Sequence, residues 1–482
     1  MEKHKAVLKF TGIVGLFSAV LIFLPVLFVQ QFDDYVPEAA GVVEVVEASE
    51  AYEQTAPPVA EWMSADVRLS GLTLIYEQAL YRSPFLGLTL ERSRWDELYL
   101  EYTQRVLDAE NLSEYYIALT SFVSHLADGK SQIAPPNDLN NGLIAMRPVG
   151  VRYVENRFIV FSFIGDVGIP LGSEILRING TPTLDWLEET YGFFLTNHTP
   201  LQRQSSLAIY ITATFLPQEL ALEIITPAGE HLEIDLPYYS DPMALIGGAI
   251  PQYLNLAYPQ AHEQNDFQGF SVADHGNGIK QIILPSFGDM SMPQRVRNYL
   301  ETVQDDISGV ILDVRNNGGG ASDASILSHF VDVYELNPMR YYPVSGWGLA
   351  PGGYVFWVQN IEGIAEQSLE LFHVPVVVLA NYNSGSAADC FVASVRDVDG
   401  VTIIGTNTAG MIGDMTAHFL PEGGIFRLSL FRGVTHDGIE VNNHGIPPDI
   451  WSEQTVDDLL NGIDTTLTFA LQYMQEVLGQ EN

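Results

Sequence analysis

The sequence predicts an α/β fold. A layered core of largely parallel strands follows a helical region and a small strand-rich module, and one transmembrane helix precedes them all. Three observations carry this. Beyond about Gly278, apolar β-branched runs alternate with stretches of helical spacing. Between Lys9 and Asp33 no residue is charged. Of the 482 residues, 47% are hydrophobic and 17% charged, which excludes a disordered chain and supplies core for about three domains.

Taken in order, residues 1–9 form a basic end carrying Lys3, Lys5 and Lys9. Residues 10–32 are 23 uncharged positions, about 34 Å as a helix and enough to cross a bilayer core. Pro25 is tolerated in such a span. The positive-inside rule keeps the basic end cytoplasmic and exports the rest; a cleaved signal peptide is the alternative, although no clear A-x-A site follows. Residues 33–65 are acidic and contain Pro57-Pro58, a linker composition. Residues 66–140 are helical in pattern, with Trp95, Leu98, Tyr99, Tyr102, Val106 and Leu107 at three- and four-residue spacing.

Residues 143–238 read as the strand-rich module. Val149–Val154 and Phe158–Phe163 flank a Glu155-Asn156 turn, Ile169–Gly180 is a strand ending in a glycine turn, and Leu220–Ile225 pairs with His231–Leu236. A stretch of helical texture from Trp186 to Pro217 interrupts it. Residues 239–475 form the core. Its strands are Ile279–Leu284, Val310–Val314, Val376–Ala380 and Ile403–Gly405; its helices are Pro293–Val303, Ser322–Val331 and one starting near Ser386.

Charge and cysteine content exclude several functions. Twenty-two Lys+Arg against sixty Asp+Glu leave a net charge of −38, the wrong sign for nucleic acid. Such acidity suits a salty medium, where a carboxylate-rich surface stays soluble. A single cysteine, Cys390, excludes an internal disulfide framework and a Cys-cluster metal site. No histidine pair has a zinc-ligand spacing, so neither a metal nor another cofactor is expected.

Two segments bear chemistry. In Asn381–Asp389 a buried strand feeds a glycine turn, and a helix starts at Ser386. That places Ser386 Oγ at a helix N-terminus, where backbone amides favour developing negative charge; an ordinary serine N-cap would look the same. Ser384 is more simply a turn residue. In Leu312–Gly320 three glycines after a buried strand let amides turn toward a ligand. No Gly-Lys-Ser/Thr follows, so an oxyanion loop fits better than a phosphate loop.

These blocks together resemble the C-terminal processing, or tail-specific, serine peptidases, in particular their tricorn-like branch. Leu126-Ala-Asp-Gly-Lys-Ser131 is similar to the family's L-x-D-G-H-T signature, and Gly172–Gly180 to a strand of its PDZ-like domain. Leu312–Gly320 is similar to its L-D-L-R-x-N-x-G-G loop, Asn381–Asp389 to its nucleophile block, and Asp437–Asp449 to its closing G-x-x-P-D block. The resemblance covers about residues 70–470. It implies a crotonase/ClpP-like core with Ser386 as nucleophile. It also implies an oxyanion hole from Gly318 or Gly319 together with the amide of Ala387, and peptides or unfolded protein tails as substrates.

The pattern breaks at the base. Met411 stands where the processing branch has its lysine, and Lys130 where the tricorn-like branch has its histidine. Either Lys130 is the general base, which requires burial to lower its pKa, or the site is degenerate and the protein is a peptide-binding scaffold. Beyond the membrane segment the only two lysines are Lys130 and Lys280, and a lysine at the base position of a chain that avoids lysine favours the first reading. His418, His436 and His444 are alternative bases, and Glu440 is a candidate for orienting one. The expected whole is an extracytoplasmic serine endopeptidase held to the membrane by its N-terminal helix.

Overall fold

The computed structural model describes residues 62–136, 145–196, 199–214, 218–239, 251–253, 262–266, 269–320, 324–331, 340–343, 357–358 and 372–480. The expected span at residues 10–32 and all but the last four residues of the linker expected at 33–65 lie outside the described residues, and Ala65 already begins a helix. Among the described residues no helix is long and apolar enough to cross a membrane.

Three helices come first: α1 (Ala65–Arg82), α2 (Arg92–Asp108) and α3 (Leu112–Ser124). The apolar stripe predicted for α2 is the buried one, since Trp95, Leu98, Tyr102 and Val106 all face a shared cluster with α1 and α3. Trp95 stacks on Phe122 at 4.1 Å between centroids. Asn111 caps α3 by accepting from the amide of Glu114, which satisfies one free N–H of the first turn. The chain then passes through a tight turn into strand β1 (Gln132–Ala134).

The module contains β2 (Val149–Val154), β3 (Arg157–Ile164), β4 (Glu174–Ile178), helices α4 (Thr183–Tyr191) and α5 (Pro200–Thr212), and strands β5 (Leu220–Ile225) and β6 (His231–Leu236). The β2–β3 turn falls at Glu155-Asn156, both with positive φ, at 50° and 61°. The strand expected over Ile169–Gly180 is shorter: Pro170 and a left-handed Gly172 (φ +83°) hold its first part in a turn. Both helices fold over the sheet and share its core through Trp186, Leu187, Tyr191, Leu207 and Ile211.

The core strands include β7 (Ser271–Asp274), β8 (Ile279–Ile283), β9 (Gly309–Asp313), β10 (Val376–Ala380) and β11 (Val401–Gly405). Helix α6 (Met292–Val303) joins β8 to β9, and α7 (Ala387–Val395) follows β10. After β11 come β12 (Met415–Phe419), β13 (Ile425–Ser429), the short β14 (Ile450–Trp451) and helices α8 (Val456–Asn461) and α9 (Thr465–Gln480). His262–Asp266, β7, β8, β9, β10, β11 and β14 form one sheet in that order, antiparallel up to β8 and parallel from there on.

The apolar runs are explained by cover on both faces. Val310, Leu312, Val376 and Val378 point into the cluster under α6 and α7, whereas Ile311, Val377 and Leu379 point to α9. Each such side chain, fully buried, contributes about 1.5–3 kcal/mol. The expected α-helix over Ser322–Val331 is instead a 3₁₀ segment, Ala324–His329. Ile326, Leu327 and Phe330 reach the core from this tighter turn, so the apolar spacing is satisfied without an α-helix. The module is joined to the core where Val154 and Ile159 pack on Val456 and Leu459.

Candidate active site

Parallel strands bring their carboxyl ends, and the loops that leave them, to one edge of the sheet. The loops after β9, β10 and β11 meet there. Ser384 ties two of them: its Oγ donates to the Val314 carbonyl (2.8 Å) and accepts from the Asn381 amide (3.0 Å). It is the turn residue the sequence suggests. Asn381 Oδ1 in turn accepts from the Asn316 amide at 3.0 Å.

Ser386 stands just before α7 with φ 59° and ψ −117°. This conformation is uncommon for a residue with a Cβ and persists only where its surroundings impose it. Those surroundings are visible. The Gly385 amide donates to the Asn317 carbonyl (2.9 Å), and the Ser386 amide donates to Asp389 Oδ2 (2.8 Å). Asp389 is fully buried and also accepts from the amides of Gly410 (2.9 Å) and Met411 (3.0 Å) and from the Thr408 hydroxyl. Burial pushes its carboxyl pKa up, and these donors oppose the rise. One carboxylate thereby fixes the nucleophile turn to the loop after β11.

Lys130 reaches the serine from far away in sequence. Its Nζ donates to Ser386 Oγ at 2.7 Å. The Asp128–Ser131 turn that carries it is rigid: Asp128 Oδ1 accepts from the Lys130 amide (3.1 Å), Oδ2 from the Ser131 hydroxyl (2.6 Å), and Ser131 Oγ accepts from the Ser429 amide (3.1 Å). Asn443 Nδ2 donates to the Ala127 carbonyl just upstream. Lys130 is 8% exposed, and burial lowers its pKa below the ordinary lysine value, against the opposing pull of Asp389, Cys390, Asp128 and Asp414.

The glycine loop packs against the nucleophile. A Cβ on Gly319, at φ +102°, would lie 2.5 Å from Ser386 Cβ and 2.8 Å from the Ala387 nitrogen, so only glycine fits there. The Gly319 amide itself is not free to bind an oxyanion, because it donates to Asn317 Oδ1 at 2.8 Å. The amides of Gly318 and Ala387 have no acceptor among the described residues, which leaves this pair as the available donors. Of the two glycines, Gly318 is the one whose N–H is open, and Gly319 acts through its missing side chain.

The alternative bases and the orienting acid make other contacts. His418 Nε2 is bonded to Thr416 Oγ1 at 3.0 Å on β12, His444 Nδ1 faces the Asn442 carbonyl at 2.9 Å, and His436 sits 3.8 Å from Asp397. Glu440 pairs with Arg432 at 2.9 Å. None of the four bonds to Ser386 or Lys130. Met411 contributes its amide to Asp389, and its Sδ receives Gln202 Nε2 of α5 at 3.3 Å, so the module touches the site at the position where the sequence lacks a second lysine. Asp389, Asn317 and Thr408 escaped the sequence reading. Asp389 carries a legible signal, an acid three residues after a helix-capping serine.

Residues 278–452 match the profile of peptidase family S41. The "Carboxy-terminal-processing protease" of Bartonella bacilliformis is 29% identical over 165 residues, 34% of this chain and 35% of that protein. The "Tricorn protease" of Thermoplasma acidophilum is 26% identical over 208 residues, 42% of this chain and 17% of that protein. The chain thus spans about a third or less of these curated relatives. Among solved structures, mature CPAF superposes with a TM-score of 0.63 at 16% identity, covering 86% of this chain and 96% of that one, which shows a shared fold. The mixed α/β architecture therefore resembles that of mature CPAF, and over residues 278–452, the stretch that holds Ser386 and the loops around it, the chain matches peptidase family S41.

Proposed function

We propose that the chain is a serine endopeptidase that cleaves peptides or protein tails through an acyl-enzyme on Ser386. The 2.7 Å contact between Lys130 Nζ and Ser386 Oγ carries this reading. Lys130 in its neutral form takes the serine proton as Oγ attacks the scissile carbonyl. The carbonyl oxygen, now negative, is held by the amides of Gly318 and Ala387 at the N-terminus of α7. The lysine ammonium then protonates the leaving amine. Once neutral again, Lys130 activates the water that hydrolyses the ester. The core is read as crotonase/ClpP-like and the module at 143–238 as PDZ-like.

The test is labelling of the full chain with a fluorophosphonate probe from pH 6 to 10. Labelling should vanish in Ser386→Ala and slow by about 10²–10⁴-fold in Lys130→Ala, the usual worth of a general base. Labelling that is lost only in Ser386→Ala would mean another base. A folded chain that never labels would leave the scaffold reading in its place.

The uncharged stretch at residues 10–32 supports an extracytoplasmic protein anchored by one N-terminal helix. Alkaline-washed membranes should retain the full chain, whereas a chain lacking residues 1–61 should be washed free. Recovery of both in the soluble fraction would overturn the anchor.

A further inference from the structure

The sheet formed by β1, β13 and β12 has two different faces. One packs on the helices through Ile133, Phe426 and Leu428. The other presents Met415, Ala417 and Phe419 from β12, with Arg427 on β13 directly opposite Ala417 and Gln132. Phe419 is 83% exposed. Strand β12 is the edge of this sheet. The Leu430 amide donates to the Asp414 carbonyl and the Leu420 amide to the Gly424 carbonyl, so the even-numbered residues between them turn their backbone groups inward. By alternation the N–H and C=O groups of Met415, Ala417 and Phe419 point outward, and among the described residues they have no partner.

The start of this strand lies near Lys130: Asp414, the residue before β12, is close enough to favour the Lys130 ammonium. The Ser429 amide donates to Ser131 Oγ in the loop that carries Lys130, and a Cβ on Gly413 would lie 3.5 Å from Ser429 Oγ. Arg427 lies two residues further along the same face, about 7 Å.

Arg427 is the anomaly. Sixty acidic residues stand against twenty-two basic ones. Other partly or fully buried arginines have partners: Arg315 pairs with Asp313 and Asp464, Arg203 with Glu188, Arg147 with three backbone carbonyls, and Arg152, which has no ion pair, lies over the Phe161 ring at 5.0 Å. Arg427 is half-buried, yet among the described residues it has neither an ion pair nor a hydrogen bond, and burial alone lowers its pKa. A guanidinium partly stripped of water and left without an acceptor is a site for a carboxylate, which its planar fork binds bidentately.

We propose that an extended substrate segment adds to the free edge of β12 by backbone pairing, and that Arg427 binds a carboxylate of that segment. This rests on the peptidase reading for its purpose: the carboxylate sits a few residues from the bond presented to Ser386. Strand addition supplies affinity, and the alternate side chains meet Met415, Ala417 and Phe419. The net charge repels acidic peptides at long range. The Debye length of about 10 Å at 0.1 M salt leaves the short-range pair intact.

The test is binding to the full chain carrying Ser386→Ala, which removes turnover. Fluorescein-labelled decapeptides of Ala, Val and Leu with one Asp scanned through them are compared with their Asn counterparts, each with a free or an amidated C-terminus. The carboxylate peptide should bind about tenfold or more tightly than its neutral match. The ratio should fall to near one when Arg427→Gln is added, and Arg427→Lys should keep part of it. A preference that survives amidation places the carboxylate on a side chain; one that amidation abolishes places it at the chain terminus. No preference in the parent, or one undiminished in Arg427→Gln, overturns the proposal. The ratio is internal to each variant, so if Arg427→Gln binds neither peptide, Arg427→Lys decides: a retained preference supports the proposal and a lost one overturns it. Failure of fluorophosphonate labelling would sink the peptidase reading while leaving this preference standing, so the two outcomes are separable.

Discussion

At the scale of single residues, the site turns on which influence on Lys130 prevails. Burial disfavours its ammonium form, while the carboxylates of Asp389, Asp128 and Asp414 favour it; burial is the larger, and the pKa falls below 10.5. The sign follows. Only the neutral amine accepts the serine proton, so the labelling rate should climb with pH through the folded-state pKa of Lys130 and level off above it. Arginine cannot deprotonate in this range, so Lys130→Arg should stay inactive throughout; a rising profile in that variant would remove Lys130 from the mechanism. The same shift bears on stability. The folded state binds fewer protons than the unfolded one between the lowered value and 10.5, so this residue's contribution grows with pH across that window and is least favourable below it. A function that needs a poised amine carries a stability cost at neutral pH.

At the scale of elements, the sequence marks what burial on a regular face dictates and misses what tertiary partners dictate. Strands β2, β5, β6 and β10 lie where their apolar alternation or runs place them. The helical stripe of α2 and the helix after Ser386 are likewise legible. The hairpin of β12 and β13 is not: Met415-Thr-Ala-His-Phe419 has weak alternation, and its pairing depends on β1, about 290 residues earlier in the chain. Lys130 was located by its motif, but its approach to Ser386 depends on that same distant pairing. The 3₁₀ segment Ala324–His329 shows the limit from the other side, because an apolar spacing of three and four is met equally by a tighter turn. One element carries a testable load. Asp464 caps α9 by accepting from the Leu467 amide at 2.9 Å and also pairs with Arg315 at 2.8 Å. The Arg315 side chain is 16% exposed; burial pulls its pKa down, but its two acidic partners outweigh this and hold it above the ordinary arginine value. Asp464→Ala removes a cap and half-strips a buried guanidinium, a change that typically costs about 3–5 kcal/mol. Urea unfolding should show that loss in full; a cost under about 1 kcal/mol would mean that Asp313 alone satisfies the arginine.

At the scale of the whole molecule, the core and the surface pull in opposite directions. A two-faced sheet with continuous apolar strands supplies ample cohesion, while a net charge of −38 works against compactness by self-repulsion. The repulsion is long-ranged and therefore screenable, since the Debye length shrinks from about 30 Å at 0.01 M salt to about 3 Å at 1 M. The buried contacts that fix Ser386, such as Asp389 with its amide donors, are scarcely reached by salt. Added NaCl should therefore raise the melting temperature of the folded domain most steeply at low ionic strength and then flatten, with KCl tracing the same curve. Peptide preference at Arg427 should weaken over that range, because its guanidinium is only half-buried. Differential scanning calorimetry across salts distinguishes screening from salt exclusion. A rise that continues linearly to high concentration, larger for sulfate than for chloride at matched ionic strength, would indicate exclusion from the surface. In that case the acidic surface would not be what limits stability at low salt.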